Sequence, residues 1–344
     1  MTPIATDTLI VGAGPVGLFQ VFELGLLEVT AQVVDSLPHA GGQCLELYAD
    51  KPIYDIPALA RCTGRELVER LQQQIAPFAT GFHLAQQVSR VALRDDGGFD
   101  VGTDAGTRFV AKTIVVAGGV GSFQPRRLKV EGLDRWRDTQ VLYGRLEAAR
   151  AGQRIVIAGA GEAAVAAALF AAPSGAASVT LVHRRDDFEA DTDSLARLAE
   201  ARAAGRVGFV AGQASALAEV DGRLSGLVVS CNDGSTRTLP LDVLQVLLGW
   251  SPKLGPISDW GMALERKQIV VDTERFETSV PGIHAVGDIN TYAGKRKLIV
   301  SGFHEATLAA YAIAERIHPE RAQPLLYTTT SPKLHTLLGV RPEG

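Results

Sequence analysis

Apolar and polar positions along the chain draw the same pattern twice. Leu9-Ile10-Val11 is a short strand-like run that opens into Gly12-Ala13-Gly14-Pro15-Val16-Gly17. Apolar residues then recur at Leu18, Val21, Phe22 and Leu24, the spacing of a helix with a buried face that stops near Gly25. A second strand-like run, Ala31-Gln32-Val33-Val34-Asp35, follows. Further on, Ile155-Val156-Ile157-Ala158 repeats the strand and Gly159-Ala160-Gly161-Glu162-Ala163-Ala164 repeats the glycine motif. An alanine-rich segment ending before Pro173 repeats the helix, and Val179-Thr180-Leu181-Val182-His183 repeats the closing strand. Strand, helix, strand, read twice, predicts parallel sheets with right-handed crossovers.

A Gly-x-Gly-x-x-Gly string alone is a weak signal. Here each copy follows a strand, opens a helix, and is closed by a second strand about 23 residues after its first glycine. In that setting the first glycine makes the tight turn, the second lets the backbone approach a pyrophosphate, and the third (Ala164 in the second copy) lets helix and strand pack closely. The N–H groups at the helix start then face the phosphates. Gly12, Gly14, Gly17, Gly159 and Gly161 are therefore candidate dinucleotide-binding residues. The copies differ where a ribose would sit. Asp35 can accept hydrogen bonds from both ribose hydroxyls, whereas His183-Arg184-Arg185 offers guanidinium groups to a 2′-phosphate that an acid would repel. One site is expected to hold FAD or NAD and the other NADP(H), a combination that most simply passes hydride from NADPH to a flavin.

Strand-like runs at Lys112–Gly119 and Pro281–Asp288 flank the second unit. They predict a discontinuous first domain, residues 1–121 and 251–344 with a C-terminal tail, into which residues 122–250 are inserted. The fold class expected is α/β, with two Rossmann-like three-layer nucleotide-binding domains, the NADP(H) domain inserted into the FAD domain.

Composition trims the alternatives. A chain of 344 residues, 46% hydrophobic and 21% charged, is ordinary for a soluble protein of two domains, and its 36 glycines suit many tight turns. A net charge of −4 argues against binding nucleic acid through overall charge. Cys44, Cys62 and Cys231 lack metal-ligand spacing, so neither a disulfide framework nor a metal site is expected. Ala163–Val182 carries no charge over 20 residues, but Pro173-Ser174-Gly175 breaks it; it reads as buried helix, turn and strand, not as a membrane span. No basic stretch followed by an apolar one opens the chain, so a cytoplasmic enzyme is expected. No Ser-His-Asp, Cys-His or paired-carboxylate arrangement stands out, which leaves the hard chemistry to a cofactor.

Gly12-x-Gly14-x-x-Gly17, Gly41-Gly42-Gln43, Ala285-Val286-Gly287-Asp288 and His183-Arg184-Arg185-Asp186 together resemble the low-molecular-weight flavoprotein disulfide reductases typified by thioredoxin reductase. Four further strings narrow the resemblance to ferredoxin–NADP(+) reductases of thioredoxin-reductase type. They are Leu47-Tyr48-x-x-Lys51-x-Ile53-Tyr54-Asp55, Phe123-Gln124-Pro125-Arg126, Thr291-Tyr292-x-Gly294-Lys295-x-Lys297-Leu298-Ile299 and Gly302-Phe303-His304-Glu305-Ala306. The resemblance implies FAD contacts at Asp35, Gln43, Tyr48, Val88 (through its backbone, near the adenine), Phe123, Asp288 (ribityl or pyrophosphate region) and Thr329. It implies NADP(H) on Gly159, Gly161, His183, Arg184 and Arg185, hydride delivery to flavin N5, single-electron transfer to ferredoxin or flavodoxin, and a homodimer. Thioredoxin reductases carry a redox Cys-x-x-Cys ahead of the second glycine motif; Gln140-Val141-Leu142-Tyr143-Gly144 has no cysteine, so electrons are expected to leave the flavin directly. In the resembling reductases an extension beyond the last helix covers the isoalloxazine with a ring. Tyr327 stands where that ring would be, with Tyr48 on the opposite face. Acidic carriers need a local basic surface, for which Arg126-Arg127-Leu128-Lys129 and Lys295-Arg296-Lys297 are candidates. An NADPH-dependent flavin, quinone or ferric reductase without a protein carrier stays open, as does a nucleotide-binding redox sensor.

Overall fold

Alternation of β-branched runs and helices builds two parallel-sheet units. The structure, a computed structural model, describes residues 2–143, 151–321 and 324–340, without the side chains of residues 122–125 and 250–253. The chain divides into one unit of Met1–Ser122 with Lys253–Gly344 and another of Phe123–Pro252.

The first unit begins with β1 (Ile4–Val11), α1 (Pro15–Leu26) and β2 (Ala31–Val34), followed by the short α2 (Gln43–Glu46) and by α3 (Gly64–Ile75). It continues through β3 (Gly81–His83), β4 (Val88–Leu93), β5 (Phe99–Thr103) and β6 (Arg108–Val116). β3, β2, β1 and β6 run parallel in that order. Leu9, Ile10, Val33 and Val115 have no exposed surface, as strands covered on both faces require. α3 opens on a reciprocal capping box between Thr63 and Glu66 and buries Leu67, Val68, Leu71 and Ile75 along one side.

The second unit contains β7 (Val141–Tyr143), β8 (Arg154–Ala158), α4 (Glu162–Ala171), β9 (Ser178–His183) and α5 (Thr192–Ala203). β10 (Gly208–Val220), β11 (Arg223–Cys231), β12 (Thr236–Pro240) and β13 (Val243–Val246) complete it. The sheet order is β7-β13-β8-β9-β10-β11-β12, parallel as far as β10 and antiparallel beyond. The uncharged stretch becomes α4, a 3₁₀ turn containing Pro173, and β9. Among the described residues no helix is long and apolar enough to cross a membrane.

The chain then returns to the first sheet. β14 (Ile283–Ala285) pairs parallel with residues 114–116 of β6, while residues 108–111 of the same strand pair antiparallel with β5. α6 (Ile299–Ile317) and the tail helix α7 (Pro332–Leu337) follow. α1 packs against α3 and α6. Phe19 of α1 meets Phe303 of α6 at 4.7 Å, and Gly302 leaves no room for a Cβ beside Val16. α1 and α6 thus lie side by side with their N-termini at the same end, because Glu23, late in α1, is felt by Tyr311, late in α6.

Candidate functional site

Two glycine cradles lie at the ends of parallel strands. In the first, Gly12 has φ +117°, and a Cβ there would overlap the Ala117 carbonyl at the end of β6. A Cβ on Gly17 would overlap the Gly12 carbonyl, so β1, the loop and α1 close up only without side chains at these places. Gly14 forms the N-cap of α1 without any side-chain cap, and Pro15 occupies the first helical position. Among the described residues a Cβ on Gly14 would meet only the Gly42 Cα, at 4.0 Å, and the Gly41 N–H donates to the Ala13 carbonyl at 2.8 Å. A second glycine turn therefore faces the first. Gln43 starts α2, and its side-chain nitrogen lies 2.8 Å from where a Gly119 Cβ would stand.

Asp35 follows β2 and ties this cradle together. Its Oδ2 accepts the Ala13 N–H at 2.6 Å and its Oδ1 accepts the Leu37 N–H at 2.8 Å. Burial pushes its carboxyl above the usual range against the pull of those two N–H groups. Each oxygen keeps a lone pair for a further donor. The segment leading to Val88 is anchored to the same corner: the Ala85 N–H donates to the Leu37 carbonyl and the Gln86 N–H to the Asp35 carbonyl. Val88 itself is buried at the start of β4.

In the second cradle Gly159 repeats the role of Gly12, with φ +153° and no room for a Cβ against the Leu247 carbonyl. Ala164 takes the place of Gly17 and is fully buried. Gly161 caps α4 without a side chain, and a Cβ on it would meet nothing within 4 Å among the described residues. At the end of β9 the His183 Nδ1 lies 3.0 Å from the Arg185 carbonyl, and Asn232 donates to the Arg184 carbonyl at 2.7 Å. Both arginine side chains are exposed. The acid next to them is already engaged: Asp186 takes both guanidinium nitrogens of Arg202, at 2.7 and 2.8 Å, which holds its carboxyl below the usual range. Arg184 and Arg185 thus carry charge that no acid among the described residues neutralises. Both cradles have the donor set a dinucleotide needs, namely uncapped helix-start N–H groups with no side chain in front.

The Gly287–Asp288 turn after β14 completes the first unit's site. Gly287 has φ +79° and lies against Val16 at the start of α1. Burial pushes Asp288 up, Lys295 and Lys297 pull it back, and Glu305 pushes it further up. Asp288 in turn raises Cys44 and Tyr48, so these three groups share one neighbourhood. Tyr48 is half-buried; burial raises its phenol, whose oxygen accepts from the Cys44 thiol at 3.6 Å. Phe123 lies in a short strand, Ser122–Pro125, but its side chain is outside the described residues.

The structure corrects one basic surface. Only 7% of the Lys295 side chain is exposed, and its ammonium is ion-paired with the fully buried Glu305, so it cannot join Arg296 and Lys297 in a docking patch. In the other patch Arg127 is paired with Asp134 at 3.0 Å. Glu305 is a site residue that sequence reasoning left without a role. Its signal was a lone carboxylate on the buried side of α6, among Gly302, Ala306, Ala309 and Ile313. Gln140, where a Cys-x-x-Cys would be expected, is engaged structurally: its amide donates to the Leu224 and Asp242 carbonyls.

Tyr327 and Thr329 are not brought to Tyr48. Arg321 and Lys333 both pair with Glu28, and the tail lies against Glu23, Leu26 and Leu27, the C-terminal end of α1. That end is about 18 Å from Gly14 at ~1.5 Å per helical residue. Tyr327 is 63% exposed and has no ring partner among the described residues.

Known proteins agree with this architecture. A model of the pyridine nucleotide-disulphide oxidoreductase family matches residues 6–314. The chain is 57% identical over 342 residues to a ferredoxin–NADP reductase of Methylibium petroleiphilum, covering 98% of this chain and 93% of that protein. It is 56% identical to one of Albidiferax ferrireducens, covering 98% and 97%. Among solved structures it is similar to a bacillithiol disulfide reductase of Staphylococcus aureus (TM-score 0.65, 15% identity, covering 93% and 100%). It is also similar to the thioredoxin reductase of T. acidophilum (TM-score 0.59, 20% identity, covering 90% and 98%); at these identities the likeness speaks for the fold.

Proposed function

The chain belongs to the pyridine nucleotide-disulphide oxidoreductase family, and from that premise we propose that it is a ferredoxin–NADP reductase, holding FAD in the Met1–Ser122 and Lys253–Gly344 unit and NADP(H) in the Phe123–Pro252 unit. The observation that carries this reading is the contrast at the two strand ends. A half-enclosed carboxylate, Asp35, closes one cradle, and two guanidinium groups that no acid among the described residues pairs, Arg184 and Arg185, stand at the other. A carboxylate suits the hydroxyls of an unphosphorylated ribose and would repel a 2′-phosphate; the arginine pair binds one.

FAD supplies the acceptance of hydride and the release of electrons one at a time. This chain's own residues bind and orient. Gly14, Gly42 and Gln43 admit the diphosphate, Asp35 and the Val88 segment hold the adenosine end, and Asp288 and Tyr48 flank the ring-bearing end. Gly159, Gly161, His183, Arg184 and Arg185 hold NADPH. With no cysteine pair ahead of β8, a one-electron carrier, ferredoxin or flavodoxin, takes the electrons. The relatives' names support the ferredoxin. The enzyme works in the cytoplasm, where its three cysteines stay as free thiols.

The tail extends the reading to a dimer. Tyr327 and Thr329 belong to a segment held at the opposite end of α1 from Gly14, so a flavin stacked between Tyr48 and Tyr327 draws the two rings from two copies of the chain.

Anaerobic titration tests the core of the reading. NADPH should bleach the yellow band of the purified protein while NADH does so poorly, and the reduced protein should reduce ferredoxin in preference to free quinone. A colourless protein, or one that prefers NADH, overturns it; turnover with quinone alone favours the carrier-free reductase.

A further inference from the structure

A buried charge pair lies directly beneath the Gly287–Asp288 turn. Glu305 has no exposed surface, and its carboxylate is saturated by four donors. Oε2 accepts the Gly287 N–H at 2.7 Å and Asn290 Nδ2 at 2.8 Å; Oε1 accepts the Tyr292 hydroxyl at 2.9 Å and the Lys295 ammonium. Lys295 also donates to the Gly287 carbonyl at 2.8 Å. Both backbone groups of Gly287 are thus held, one by each member of the pair. The Gly287–Asp288 peptide is trans, as are all described peptides, so a carbonyl turned toward Lys295 turns the Asp288 N–H the opposite way. Gly287 at φ +79° is in a conformation that suits glycine. A buried ion pair of this kind is seldom a net gain in stability over apolar packing, which directs attention to what it orients.

We infer that Lys295 and Glu305 form a positioning pair, which locks the Gly287–Asp288 peptide and places a compensated charge behind Asp288, so that FAD affinity depends on the pair through Asp288 and not by contact. This rests on the reading that FAD occupies the first unit. The charged and titratable groups facing the pair are Asp288 and Lys297 on the same loop and Tyr292, whose phenol burial pushes up to about 12. None of the three can replace Lys295: Asp288 is an acid, Tyr292 stays neutral at physiological pH, and Lys297 is exposed.

The charge gives a signature that packing alone does not. In Lys295→Met the Glu305 carboxylate loses its counter-charge and stays buried. FAD should then be held about tenfold or more weakly than by the wild type. The double variant Lys295→Met/Glu305→Gln carries no stranded charge and should recover part of the lost affinity, while Lys295→Arg, which keeps the charge, should hold FAD near the wild-type level. The measurement is the dissociation constant of FAD by flavin fluorescence, with circular dichroism to confirm folding; if the single variant does not fold, the double variant and Lys295→Arg carry the comparison. FAD binding by Lys295→Met that matches wild type, or a loss that is unaltered in the double variant and in Lys295→Arg, overturns the inference. Wild-type protein that binds no FAD overturns instead the functional reading on which it rests.

Discussion

The loop after β1 is faced by a second glycine turn, whereas the loop after β8 has, among the described residues, nothing within 4 Å in front of its middle glycine. Around the first, Asp35, Gly41–Gly42 and the Val88 segment are hydrogen-bonded to the loop or to one another. Around the second, the arginines that should grip the ligand extend into solvent. Both begin from the same strand–glycine–helix geometry, so the difference lies in what the rest of each unit brings to it. An enclosed, cross-braced cradle suits a cofactor that stays; an open one with exposed guanidinium groups suits a dinucleotide that must leave after each turnover. Preorganisation lowers the ordering cost of binding in the first, and long-range charge attracts the ligand in the second.

That contrast breaks most visibly at the arginines. Replacing Arg184 and Arg185 together by Ala should raise KM for NADPH by roughly a hundredfold, since charge-assisted bonds contribute ~1.5–3 kcal/mol each before solvent weakens them, and leave KM for NADH nearly unchanged. An equal change with both nucleotides would show that the pair does not read a 2′-phosphate. Steady-state kinetics decides.

The next effect compares the third motif position. Gly17→Ala drives a methyl into the Gly12 carbonyl and should cost about 1–3 kcal/mol or more of stability, with loss of flavin. The mirror change, Ala164→Gly, should cost only about 1 kcal/mol, mainly through helix propensity. Chemical denaturation of both variants tests this; equal costs would mean that the two loops are not braced differently.

The units should also respond to pH in opposite senses. Burial raises Glu23, under the tail, to about 7. An acid that binds its proton more tightly when folded stabilises the native state at low pH and withdraws that support as pH rises from about 4.5 to about 7. Glu23→Gln should therefore be more stable than wild type at about pH 8, by up to ~2 kcal/mol, and indistinguishable below about pH 4. Asp242 in the other unit behaves inversely. Hydrogen bonds from Arg154 hold it down to about 2, so its contribution is present above the ordinary carboxylate range and is lost as pH falls through about 2. Asp242→Asn should cost ~1 kcal/mol or less at neutral pH, because this pair is partly exposed. Thermal unfolding against pH, followed for both variants, would sink the comparison if the two slopes had the same sign.

Much of the site was legible from residue order because its causes are local. Gly12 and Gly159 are needed where a strand turns into a helix within three residues, and the strand-end chemistry of Asp35 and Arg184-Arg185 follows at a set distance along the chain. Lys295 was misread for the opposite reason. In sequence it is one of three cations in a row with Arg296 and Lys297, the usual sign of a solvated surface. Its burial comes from Glu305, ten positions later and on another element. Tyr327 shows the same limit, since its neighbours are chosen by how the tail meets Glu28 and Leu26 and not by anything adjacent in the chain.

Residue order by itself determined the β-α-β repeats, the tight glycine turns between strand and helix, the opposite charges at the two strand ends and the lack of a dithiol, since steric limits on φ and ψ, side-chain periodicity and residue chemistry act over a few neighbouring positions. Only the tertiary structure decided which charges are buried, which glycine turn closes over which loop, and at which end of α1 the tail rests. Desolvation and ion pairing depend on groups that folding brings together from distant parts of the chain, and no local pattern records those distances.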